Sequence, residues 1–128
     1  MNAERITKSA LIELGAKPHL KGFWHILDAV QIILKNNGQS VRSEDLYRIV
    51  AEKRGSTPQS VERGVRSVVV KIYDSGTWDS VREGSWFVPS YDGGQLPPKQ
   101  FLFALADYVD HIMSKENDDE SNDRDSEN

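Results

Sequence analysis

Thr57-Pro58 fixes where one helix of this chain begins. A threonine hydroxyl at the N-cap accepts a backbone N–H of the first turn, and proline at the next position loses nothing by lacking its own. From there Val61, Val65, Val68 and Ile72 recur on one helical face, so the helix spans about 57–74 and Gly76 stops it. Ser67 to Tyr73 is dense in β-branched residues, which locally favours a strand. The apolar face continues through this stretch without a break, and the spacing predicts helix.

A shorter helix precedes it. Ser43 offers an N-cap, Leu46, Ile49 and Val50 point inward from about Glu44 to Lys53, and Arg54-Gly55-Ser56 is a short turn. A capped helix, a turn with glycine and a second capped helix make up a helix-turn-helix. In such units the start of the second helix enters the major groove and the first lies across the DNA backbone.

The outward face of the second helix holds Gln59, Glu62, Arg63, Arg66 and Val70. Arg63 and Arg66 are three apart and project from one strip. Arginine suits guanine O6 and N7, and glutamate can accept from cytosine N4, each good pair discriminating by about 1–3 kcal/mol. Glu62, Arg63 and Arg66 are therefore the candidate base readers. The helix start, at Thr57, Gln59 and Ser60, favours a phosphate, and Lys21, Arg42, Lys53, Arg54 and Lys71 are further phosphate candidates. The bland alternative is an ordinary solvated amphipathic helix with surface arginines.

The rest of the chain also reads as helix. Ile6, Ala10, Leu11 and Leu14 mark a first helix closed by Gly15, and Ala16 to His19 form a connector. Phe23, Ile26, Leu27, Val30, Ile33 and Leu34 form a wide stripe from Gly22 to Asn36, the expected central helix. Trp78 to Gly94 is irregular, with one short helix expected around Asp79 to Arg82. Pro97-Pro98 opens a last helix carrying Phe101, Leu102, Leu105, Val109, Ile112 and Met113. The expected fold is all-α, about six helices around a central helix-turn-helix, over residues 1–113.

Charge is informative by its distribution. The 128 residues carry a net charge of −4. Residues 114–128 alone carry −5, so residues 1–113 carry +1, and residues 35–71 carry +4. A basic middle beside an acidic end fits a nucleic-acid surface. The acidic segment has no apolar residue after Met113 and is expected to be a disordered tail, either solubilising or screening the basic face as a DNA mimic.

Other chemistries find little support. There is no cysteine, which removes disulfides and thiol catalysis. His19 and His25 are six apart without a third ligand, so no metal site is expected, and His19 is assigned to orienting the connector. Gly93-Gly94 lacks the following Lys-Ser/Thr of a phosphate loop. Trp24, Trp78 and Trp86, with Phe87 and Tyr91, are assigned to core filling rather than to base stacking. The amino terminus has no apolar core of a signal peptide and no stretch is long enough to span a membrane, so a soluble, cytoplasmic protein is expected. No enzyme activity and no cofactor are expected.

Three stretches resemble the carboxy-terminal effector domain family of the stage-zero sporulation protein A, the response regulator that initiates endospore formation. Leu14 to Phe23 matches its glycine, histidine and aliphatic-Lys-Gly-aromatic pattern, Leu46 to Lys53 its next helix, and Ser56 to Arg66 its recognition helix with a Val-Glu-Arg-x-x-Arg core. The likeness covers about residues 5–113. It implies a six-helix DNA-binding domain that acts on a short GC-containing box near promoters, with Glu62, Arg63 and Arg66 facing the bases. Its partners would be double-stranded DNA, RNA polymerase and a second copy on DNA, with no membrane. Ser60 and Ser67 depart from the family's arginine and histidine and remove contacts. Gly64 replaces an alanine and is expected to weaken an exposed helix by about 1 kcal/mol. No receiver pattern precedes residue 5, so a stand-alone regulator is expected, not switched by phosphorylation of the usual kind. The alternative is a protein-interaction module of the same fold that modulates a full-length relative.

Overall fold

A computed structural model describes residues 2–36, 41–75 and 97–126, with side chains of the last segment up to residue 115. The described residues form five helices and no strand: α1 (Ala3–Glu13), α2 (Lys21–Lys35), α3 (Ser43–Arg54), α4 (Pro58–Asp74) and α5 (Pro98–Ser126). The short helix expected near residues 79–82, the Trp78, Trp86, Phe87 and Tyr91 cluster, and Gly76 lie outside the described residues.

The central stripe becomes the centre of the molecule. Phe23, Ile26, Leu27, Ala29, Val30 and Ile33 of α2 are buried, and α2 packs against each of the other four helices. On α1, Asn2 caps the start by accepting from the Arg5 N–H at 2.8 Å. The end closes at Gly15, whose φ is 98°. Its N–H donates to the Ile12 carbonyl at 3.0 Å and that of Ala16 to the Leu11 carbonyl at 2.9 Å. These two bonds use up carbonyls that a helix end otherwise leaves open.

The strand-prone stretch is helical, and magnitudes explain why. Val61, Val65, Val68, Val69 and Ile72 of α4 are all buried. Burying one such side chain is worth about 1.5–3 kcal/mol, whereas β-propensities span only ~1 kcal/mol. Burial therefore decides. The Thr57 hydroxyl accepts from the Ser60 N–H at 3.1 Å, as the sequence predicts.

Two local expectations shift. Helix α3 starts at Ser43 with Arg42 at the N-cap, and no side chain caps it. Val41 packs on the core just ahead, so the chain reaches Ser43 already within the first turn. At the other end, α5 continues past Met113 to Ser126, into the acidic segment expected to be a disordered tail. Apolar packing ends at Ile112 and Met113, and propagation of an existing helix is much easier than nucleation.

Candidate nucleic-acid interface

The end of α3 is clamped before the turn begins. Arg54 donates from Nε and Nη2 to the two oxygens of Asp28 at 2.5 and 3.0 Å, and Lys53 Nζ adds a third bond at 3.2 Å. Asp28 lies on α2 and is only 3% exposed. Burial alone would raise its carboxyl, but the bonds from Arg54 and Lys53 outweigh burial and hold it below the usual aspartate value. Gly55 follows with φ 64°, a left-handed conformation that glycine takes without strain. Ser56 returns its N–H to the Ala51 carbonyl at 2.9 Å. Two phosphate candidates, Lys53 and Arg54, are thus bound to a buried carboxylate.

Helix α4 is seated by a glycine crossing. A Cβ on Gly22 would lie 2.1 Å from the Gly64 carbonyl oxygen and 2.7 Å from Val68 Cγ2. A Cβ on Gly64 would lie 3.0 Å from His25 Nδ1 and 3.3 Å from the Gly22 Cα. The backbones of α2 and α4 touch here. Gly64 is therefore half-buried in a helix crossing rather than on an exposed face, which corrects the reading of this glycine as a weak point of a solvated helix. His25, 6% exposed, has an enclosed Nδ1 without a hydrogen-bond partner among the described residues. Burial pushes its pKa down; the Asp28 charge opposes that, and Arg54 and Lys21 add to it.

The opposite face of α4 is open. Gln59, Ser60, Arg63, Arg66 and Ser67 are exposed, and Val70 is 36% exposed. Glu62 is half-buried and accepts from Arg66 Nη2 at 2.6 Å, one turn on. Tyr47 of α3 lies beneath this pair: burial raises its pKa, the Glu62 charge adds to the rise and Arg66 offsets it. Among the described residues Arg63 has no ion-pair partner. The three predicted base readers thus share a strip, with Arg66 held by the glutamate and Arg63 without such a partner among the described residues.

The phosphate candidates divide by position. Thr57, Gln59 and Ser60 sit at the start of α4. Lys21, exposed at the start of α2, reaches the same corner and lines a cavity of about 270 Å³ with Trp24, His25, Arg54, Gly55 and Ser56. Arg42 lies at the far end of α3, 3.5 Å from Glu44. Lys71 lies near the end of α4, where it shares a cavity of about 390 Å³ with Lys17 and His19 of the connector. Among the described residues no three His, Asp or Glu side chains come together to hold a metal ion. None of the described helices is long and apolar enough to cross a membrane.

The sequence reading did not single out Asp28, and it named Gly22 and His25 without these contacts. Only Asp28 left a signal, as a lone carboxylate inside an apolar stripe. In comparison with known proteins, residues 7–109 match the family model described as the sporulation initiation factor Spo0A C terminal.

Proposed function

Because the chain belongs to the Spo0A C-terminal family, a family of DNA-binding domains rather than of enzymes, we propose that it is a sequence-specific regulator that reads double-stranded DNA with α4. The observation that carries this reading is the exposed strip of α4, where Arg63, without an ion-pair partner among the described residues, stands beside an Arg66 held by Glu62. Helix α4 enters the major groove and α3 lies across the backbone. Arg63 and Arg66 donate to guanine O6 and N7, and Glu62 accepts from cytosine N4. Holding Arg66 on Glu62 in the free protein limits the side-chain freedom that binding must remove. Thr57, Gln59, Ser60 and Lys21 contact phosphates at the corner of the turn. Arg42, Lys53 and Lys71 serve as weaker phosphate contacts farther out. Such contacts position the protein, and base contacts specify the site. RNA polymerase and a second copy on the same promoter are the partners of a regulator of this kind, and no cofactor is needed.

A fluorescence-anisotropy titration on a duplex carrying a GC-containing box, against a scrambled duplex, tests the reading. Wild type should prefer the box, and Arg63→Ala should lose that preference by about 5- to 150-fold, the equivalent of 1–3 kcal/mol. Equal affinity of wild type and Arg63→Ala at moderate salt would refute base readout by this helix. A flat salt response would favour the protein-interaction reading instead, since phosphate contacts impose a steep one.

A further inference from the structure

The corner where α2, the end of α3 and the start of α4 meet holds a built cavity whose occupant the fold does not supply. Its walls are Lys21, Trp24, His25, Arg54, Gly55 and Ser56, and its volume is about 270 Å³. The Trp24 indole N–H is already spent on the Pro18 carbonyl at 2.7 Å, so the ring is an apolar wall. Arg54 gives Nε and Nη2 to Asp28, which leaves Nη1 without a partner among the described residues. Lys21 is exposed and has no ion-pair partner among the described residues. Ser56 adds a hydroxyl. The free side-chain groups of Lys21, Arg54 and Ser56 here are donors or can act as donors.

The buried His25 ring forms one wall of the cavity. Its Nδ1 is sealed beside Gly64 with no hydrogen-bond partner among the described residues. A neutral ring with its proton on Nε2 leaves a lone pair, and not an N–H, unpaired at Nδ1. In that tautomer Nε2 is the ring's donor. The nearby carboxylates do not compete for the space. Asp28 is buried and takes bonds from Arg54 and Lys53, and Glu4 pairs with Lys8 at 3.6 Å.

We propose that this cavity is a phosphate site in which Lys21, Arg54 Nη1, the Ser56 hydroxyl and the His25 ring hold one phosphate group. On the DNA-binding reading, on which this second step rests, the occupant is a phosphate of the DNA backbone beside the start of α4. Two cations and an imidazole donor around one small volume match the charge and donor demand of a phosphate monoanion or diester.

Two arms on the full chain test it and separate the sources of phosphate. In the first, inorganic phosphate is titrated while the His25 ring resonances are followed by ¹H–¹³C NMR, with chloride at equal ionic strength as the control. Saturable movement in wild type, lost in Lys21→Ala and weakened in Ser56→Ala, is the expected result; both residues are exposed, so these variants should fold. Unmoved His25 resonances would overturn the site whatever the duplex does. In the second arm, duplex affinity is measured against salt. Loss of one phosphate contact lowers the slope of log K on log salt by about 0.9, so the advantage of wild type over Lys21→Ala should shrink by about 3.5-fold between 50 and 200 mM. A phosphate response with an unchanged slope would overturn the DNA-backbone assignment and leave a free-phosphate site. Should wild type bind no duplex at all, the proposed function fails, and the first arm still decides the cavity.

Discussion

Helix α4 has two faces held by different physics. Its inner face meets α2 backbone to backbone at Gly22 and Gly64, with Val61, Val65, Val68, Val69 and Ile72 buried around the contact. Its outer face holds the Glu62–Arg66 pair, whose side chains are 43% and 60% exposed. Close packing tolerates almost no added volume, whereas an exposed ion pair is worth only ~0.3–0.5 kcal/mol. The inner face therefore sets where the helix sits, and the outer face is free to vary in what it recognises. Substitutions should separate the two: inner changes move stability, outer changes move binding.

The largest effect is expected from Gly22→Ala. Its new Cβ would sit 2.1 Å from a carbonyl oxygen of α4, and backbone cannot swing aside as a side chain can. The variant should lose more than about 3 kcal/mol, at the upper end of overpacking costs, read as a lower midpoint in urea denaturation. A change under about 1 kcal/mol would mean that the two backbones do not meet in solution.

Asp28→Asn comes next. It removes the charge that Arg54 and Lys53 share, but these partners are 38% and 61% exposed and can turn to water. The cost should be about 1–3 kcal/mol, below that of breaking a fully buried pair. The sign with pH follows from the lowered carboxyl. In acid the folded chain binds fewer protons at this site than the unfolded chain. The stabilisation is complete above the ordinary aspartate value and is lost as pH falls through the lower folded value. Asp28→Asn should therefore approach wild type in strong acid and diverge from it near neutrality. A gap that stays constant with pH would show that Asp28 does not ionise as described.

On the outer face, Arg63→Ala should cost about 1–3 kcal/mol of binding to the preferred duplex while leaving stability within ~0.5 kcal/mol. If thermal unfolding shifts as much as binding does, the two faces are not independent.

What the sequence made legible follows the same division. Thr57 with Pro58, the glycine stops and the valine spacing act within a few residues, so the start of α4 and its inward side were readable. The outward strip was readable as its complement. Gly22 and Gly64 lie 42 residues apart in sequence, and no local pattern records that two backbones touch. For the same reason Arg54 looked like a free cation. Its partner Asp28 is on another helix, and only the packing of α3 on α2 brings them together. Ser43 looked like a cap because serine prefers that place, but α3 starts at Ser43 itself, behind Arg42 and a core-packed Val41.

Gly64→Ala is the smallest effect and the sharpest probe, because this residue joins the two faces. On an exposed helix the change would stabilise by about 1 kcal/mol through helix propensity alone. Here the new Cβ would stand 3.0 Å from His25 Nδ1 and 3.3 Å from the Gly22 Cα. The imidazole must give by a few tenths of an ångström, which costs part or all of that gain. Stability should therefore change by less than ~1 kcal/mol while the His25 ring resonances shift. The full gain with a silent His25 would place Gly64 on a solvated face after all. A loss as large as that of Gly22→Ala would mean that the His25 side is as unyielding as the carbonyl side. The intermediate result fits one side chain that can move against one backbone that cannot, and it fixes how α4 can take an ordinary residue at this position.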